Sequence, residues 1–139
     1  TWVSVGPLRA RLIAACAPLV RDVVIAGINR DELSALVILD LDGCRVINPA
    51  LPADDLAAAA HDQKVRQAFR ERLSAFANAA TGSSTRVARA MLVDAPLSID
   101  RGEVTDKGSI NQRAVIEHRA AWIESLYASP LPAHVIAAG

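Results

Sequence analysis

Two β-branched, apolar runs, Val23-Val24-Ile25-Ala26-Gly27 and Leu33 to Leu41, are separated by a short segment containing Asn29-Arg30-Asp31. Runs of that length bounded by turn residues read as strands, and their closeness in sequence predicts an antiparallel hairpin.

Helical patterns flank the hairpin. Leu8, Leu12, Cys16 and Leu19 recur at near-helical spacing after Pro7, a residue suited to a first helical turn, and Pro18 predicts an end by Ala17. Ahead of them, Trp2-Val3-Ser4-Val5 alternates like a short strand, punctuated by Gly6-Pro7. Asp42-Gly43 reads as the close of the second long strand, and 48–52 as a stiff loop with two prolines. Asp54 or Asp55 is placed to cap a short helix over the alanines at 57–60. A stronger helix is expected over 62–80, with Val65, Phe69, Leu73 and Phe76 on one face, ended by Thr81-Gly82-Ser83-Ser84.

Arg86 to Val93 reads as a further strand, stopped by Pro96. From Ser98 to Gly108 the chain is polar and turn-rich. A last helix begins near Ser109 to Asn111, where Ser109 and Gln112 have the form of a capping box. Its broad apolar face holds Val115, Ile116, Trp122, Ile123, Leu126 and Tyr127. Residues 129–139, with two prolines, are expected as a surface tail. Helices on a small mixed sheet, an α+β domain, is the architecture these elements predict, in a single domain over 1–139.

Composition narrows the function. The chain has 139 residues, enough for one core without staples, and only 4% are aromatic, so that core is built from Ala, Val, Leu and Ile. Fifteen basic and fifteen acidic residues give zero formal charge, which argues against nucleic acid as a partner. No apolar run approaches the ~18 residues of a membrane span. Cys16 and Cys44 stand outside any metal-binding spacing and read as reduced thiols of a cytoplasmic protein. The chain opens at Thr1 without Met, as a piece of a longer protein would.

Few residues are placed for chemistry. There is no glycine-rich phosphate loop and no Gly-x-Ser-x-Gly elbow, and His61, His118 and His134 lie too far apart for a ligand set. Arg66, Arg70 and Arg72 on one helix read as a solvated face, or else as an attraction for phosphates. Lys107 stands apart. It is one of two lysines, with Lys64, against thirteen arginines, and it follows Thr105-Asp106 in the polar stretch before the last helix. Such a loop can carry a flexible ammonium beyond the body of the domain.

Two segments carry a resemblance. Thr1 to Arg9, followed by Pro18-Leu19-Val20-Arg21-Asp22-Val23-Val24-Ile25-Ala26-Gly27, is similar to the region after the hinge of the adenylate-forming superfamily. Gly102-Glu103-Val104-Thr105-Asp106-Lys107-Gly108-Ser109-Ile110-Asn111-Gln112-Arg113 resembles the late lysine motif of feruloyl-CoA synthase-like enzymes, in place of the commoner Thr-Pro-Thr-x-Lys form. The likeness spans roughly residues 1–128 and identifies the chain as similar to the C-terminal domain of an AMP-forming acyl-CoA synthetase.

That resemblance implies ATP (with Mg) and coenzyme A as substrates of the full enzyme, together with a small carboxylic acid. It implies an N-terminal adenylation domain, absent from this chain, as the partner. Lys107 would be the adenylation lysine. Trp2, Val3, Ser4 and Gly6 would line the pantetheine channel after the domain rotates. Two alternatives stay open: a free-standing α+β binding module, and the equivalent domain of an adenylating enzyme that loads a carrier protein.

Overall fold

The computed structural model describes residues 5–28, 30–80 and 86–138. A four-stranded sheet of order β1-β2-β3-β4 is built from Val20–Ala26, Leu33–Leu39, Val87–Leu92 and Val135–Ala137. The expected hairpin is present. β1 and β2 pair antiparallel, with Val23 opposite Val37 and Ile25 opposite Ala35. β2 then pairs parallel with β3, and β3 antiparallel with β4. The sheet is mixed and the domain is α+β, as the sequence pattern predicts.

A parallel pair cannot be joined by a tight turn. The crossover from β2 to β3 contains α2 (Leu41–Ile47), α3 (Leu56–His61) and α4 (Gln63–Asn78). Val65, Phe69, Leu73 and Ala77 form the buried stripe of α4, and the first three pack with Leu8 and Leu12 of α1 (Val5–Ala15) on one face of the sheet. The other face is covered by Val115 of α5 (Gln112–His118) and by Ile123 and Leu126 of α6 (Ala120–Leu126). β2 lies between two neighbours and two layers, which explains its continuous apolar run.

Each of the three crossover helices starts on an aspartate. Gly43 N–H donates to Asp40 Oδ1 at 3.1 Å, Ala58 N–H to Asp55 Oδ1 at 2.9 Å, and Val65 N–H to Asp62 Oδ2 at 3.0 Å. These bonds satisfy amides that a helix start leaves without a partner.

Several expectations are corrected. Asp42-Gly43 does not close a strand: with Asp40 as cap, it lies in the first turn of α2. α1 begins at Val5, so Val5 is helical rather than the end of an opening strand, and Gly6-Pro7 lies within the helix instead of before it. Pro7 is still within the turn whose amides need no intrahelical partner. The last helix is two helices, because Arg119 leaves helical geometry at φ −110°, ψ 37°. The Ser109 capping box is not formed; Asn111 is the cap, accepting from Ala114 N–H at 3.1 Å.

The tail differs as well. Val135 and Ile136 are buried in β4, where pairing with β3 and apolar cover hold them better than water does. Trp2, Val3 and Ser4, the turn residue Asn29 and the stop Thr81-Gly82-Ser83-Ser84 lie outside the described residues.

Cys16 and Cys44 are both buried free thiols, and burial raises each to a pKa of about 11. At neutral pH they are therefore protonated and poor nucleophiles. Labelling of the native chain with a thiol reagent at pH 7.5 is expected to be at least about tenfold slower than labelling in denaturant. Equal rates would place a thiol in solvent.

Candidate functional site

Lys107 sits exposed at the tip of a small hairpin. Val104 and Ile110 form a single antiparallel bridge, and within it Thr105 N–H donates to Ser109 O at 2.9 Å and Gly108 N–H to Thr105 O at 3.0 Å. Ser109 N–H adds a bond to Thr105 Oγ1 at 3.1 Å. Asp106 and Lys107 are the two central residues of the turn. Gly108 leaves it at φ +86°, a conformation that side chains disfavour. A Cβ there would also come within 3.0 Å of Arg21 Nη2, so the Arg21 guanidinium lies against the hairpin.

Beside the hairpin runs an open groove of about 700 Å³. Gly108, Val104 and Ile110 of the hairpin form part of its wall, together with residues of β1, β2, α2 and α3 that include Arg21, Leu41 and Leu56. Its lining is largely apolar, with Arg21, Asp22, Asp54, Asp55 and Asp94 as its charged residues. This is a surface on which a second body with mixed chemistry could seat, and Lys107 is the chain neighbour of its lining residue Gly108.

The hairpin stands on a buried acid. Glu103 has 0% relative exposure. Arg119 Nε donates to its Oε2 at 2.8 Å and Arg119 Nη2 to its Oε1 at 2.9 Å, while Ser98 N–H donates to Oε1 at 2.9 Å. His118 Nδ1 lies 3.9 Å from Oε2. Burial pulls this carboxyl upward. The two-pronged Arg119 contact, the Ser98 N–H and the nearby positive charge outweigh it, so the group is held below its ordinary value. Arg119 also stacks its guanidinium 4.5 Å from the centre of the Trp122 ring.

On the other stem of the hairpin, Gln112 reaches the open edge of β1. Its Nε2 donates to Val23 O at 3.0 Å and its Oε1 accepts from Ile25 N–H at 3.3 Å. A side-chain amide thus takes the place of a neighbouring strand's peptide.

Of the described residues singled out from sequence, Lys107 is at the tip of the hairpin and His118 is near its buried root. Gly6 is exposed on α1, is not among the groove's lining, and has open space about its α-carbon. The helix-face arginines are partly engaged elsewhere. Arg66 donates to Ala133 O at 2.8 Å, and Arg72 to Ala17 O at 3.1 Å and Ala68 O at 3.0 Å. His61 pairs with Asp94 at 3.0 Å and His134 with Ser125 at 3.1 Å. Among the described residues no group of three or more His, Cys, Asp or Glu is arranged to hold a metal, and no helix is long and apolar enough to cross a membrane.

Arg21, Glu103, Gln112 and Arg119 were not legible as site residues. Glu103 and Arg119 are 16 positions apart, with no periodicity joining them.

Comparison with known proteins adds the following. The family model described as "AMP-binding enzyme C-terminal domain" matches residues 5–130. No curated protein matches the sequence. Among solved structures, the adenylation (A) domain of the carboxylate reductase from Mycobacterium chelonae superposes with a TM-score of 0.58 at 21% identity, over 86% of this chain and 18% of that one. The A-PCP didomain of carboxylic acid reductase from Segniliparus rugosus, in complex with AMP, gives a TM-score of 0.53 at 22% identity, over 85% of this chain and 15% of that one. This chain therefore spans less than a fifth of either structure's length. At these identities the likeness is one of fold.

Proposed function

This chain belongs to the family of C-terminal domains of AMP-binding enzymes, and on that premise we propose that it is the mobile lid of an ATP-dependent, AMP-forming ligase acting on a carboxylic acid. The observation that carries the reading is Lys107 at the tip of a braced hairpin, beside an open groove that an N-terminal adenylation domain of the same protein would cover.

In the first step, a carboxylate oxygen attacks the α-phosphorus of ATP. The new carbon-side P–O bond forms as the bond to pyrophosphate breaks, giving an acyl-adenylate. Negative charge is shared among the attacking, transferring and leaving oxygens, and a fixed cation in a site closed to water stabilises it. Lys107 supplies that cation. When the lid turns, the ammonium withdraws, and a thiol sulfur attacks the acyl carbon, releases AMP and loses its proton to the surroundings.

Coenzyme A is the acceptor thiol in this reading, as in acyl-CoA synthetases of the feruloyl-CoA synthase type. Trp2, Val3, Ser4 and Gly6 then contribute to the pantetheine channel, and the enzyme works in the cytoplasm. A second reading, a carrier-protein thiol as acceptor, is favoured by the likeness to the A-PCP didomain.

The test is Lys107→Ala in the full-length enzyme, with the half-reactions assayed apart. Carboxylate-dependent exchange of pyrophosphate into ATP is expected to fall roughly 10²–10³-fold, the scale of losing one charge-stabilising contact. Thioester formation from preformed acyl-adenylate should change by less than about threefold, because the lysine has left by then. If exchange survives, Lys107 is an ordinary turn residue. Offering coenzyme A and a phosphopantetheinylated carrier separately in the second assay distinguishes the two acceptors.

A further inference from the structure

A hairpin held by a single bridge does not set its own position. Two-stranded ribbons are marginal in water even when longer than this one. The direction in which the Lys107 side chain leaves the domain is therefore decided where the hairpin is rooted. There the structure departs twice from ordinary construction: an acid is fully buried at Glu103, and the helix that would run on from α5 is broken at Arg119.

These departures serve each other. Arg119 leaves helical geometry, and both prongs of its guanidinium reach Glu103. As a stability device the pair is a poor choice, since a buried ion pair is often no better than apolar residues of the same volume. What it does supply is orientation. A planar fork on a carboxylate fixes distance and angle together. Glu103 passes that constraint directly to the hairpin, because its own N–H donates to Ser98 O at 3.0 Å and its carbonyl accepts from Asn111 N–H at 2.9 Å, one residue outside the Val104–Ile110 bridge. Gln112 holds the opposite stem to β1.

We propose that Glu103, through its fork with Arg119, is a positioning residue for Lys107 in the adenylation step. The inference rests on the reading of Lys107 given above. Its chemistry is that of a lever. A small tilt at the root is magnified at the tip, and an error of about 1 Å at the reacting centre can cost on the order of 10²-fold in rate. Glu103 touches no substrate and acts only through the lysine.

The experiment is a double-mutant cycle in the full-length enzyme using Glu103→Gln, Lys107→Ala and the pair together. Glu103→Gln keeps the shape of the side chain and removes its charge. It is expected to lower kcat for pyrophosphate exchange roughly 10–100-fold, leave KM for ATP and acid within about threefold, and spare thioester formation from preformed adenylate. In the Lys107→Ala background the same change is expected to cost less than about twofold, because there is no longer a lysine to aim.

Losses that multiply in the double variant would overturn the proposal, as would an equal loss in both half-reactions, which is the mark of general damage to the fold. If Lys107→Ala itself leaves exchange intact, the reading of the lysine falls, and that outcome is visible separately in the single variant. Should Glu103→Gln fail to fold, Arg119→Lys takes its place in the cycle. It keeps the positive charge, gives up the fork, and is held to the same expectations.

Discussion

Gly43→Ala is expected to destabilise the domain by about 3 kcal/mol, although the same change inside a helix ordinarily stabilises by roughly 1 kcal/mol. Gly43 occupies the first turn of α2, and an added Cβ would lie 1.6 Å from Pro18 O and 2.5 Å from Pro18 C. Both are backbone atoms, so no side-chain rotation relieves the clash. α2 would have to move off the Pro18 segment, disturbing the core in which Cys44 and Leu19 are fully buried. Gly6→Ala in α1 is the control: it meets nothing within 4 Å and should be neutral or slightly stabilising. Urea unfolding of both variants at one temperature decides the matter. Equal midpoints would mean that α2 does not approach Pro18 so closely.

Glu103→Ala is expected to cost about 3 kcal/mol, the lower end of the range for breaking a buried ion pair, because Arg119 keeps 20% of its side chain in solvent. The pH dependence has a definite sign. In the folded chain the Glu103 carboxyl is held below its ordinary value of 4.5. A group depressed on folding contributes stability that is complete above its unfolded pKa and is lost as pH falls through the folded one. The wild-type chain should therefore lose more stability between pH 6 and pH 3 than Glu103→Ala does. Urea midpoints at those two values measure it. Parallel losses would show that the acid limb belongs to other carboxylates.

The sequence made the strands and α4 legible because their burial follows a period. Val65, Phe69, Leu73 and Ala77 recur every four residues and are all buried. It misled where a short-range signal was met by a longer-range partner. Asp42-Gly43 has the composition of a turn, but Asp40 caps a helix there and the glycine is needed for the approach to Pro18. Gln112 fits a capping box with Ser109, yet its amide gains two backbone partners on β1, 87 and 89 positions away.

The site was legible only in part, for a related reason. Lys107 shows itself by being rare and by sitting in a polar turn. Glu103 carries no mark in sequence of being buried. Its environment is made by Arg119, at a helix break that the apolar spacing of 115–127 conceals by running through it. Val5 reads as the end of a short strand because Gly6-Pro7 follows it as punctuation, while the helix beginning at Val5 tolerates that proline in its first turn.

The three residues of β4 lie beyond 130, where the family match ends. They cover β3 at Arg89, Ala90 and Met91, just as the Gln112 amide plugs β1 at the opposite margin. Open strand margins are templates on which other chains can stack. A sheet with sticky margins is exposed to loss by polymerisation. Blunting both margins disfavours edge-to-edge pairing with other chains. The folded unit also continues past Pro130, since the Ala138 N–H bonds Ala88 O at 2.8 Å.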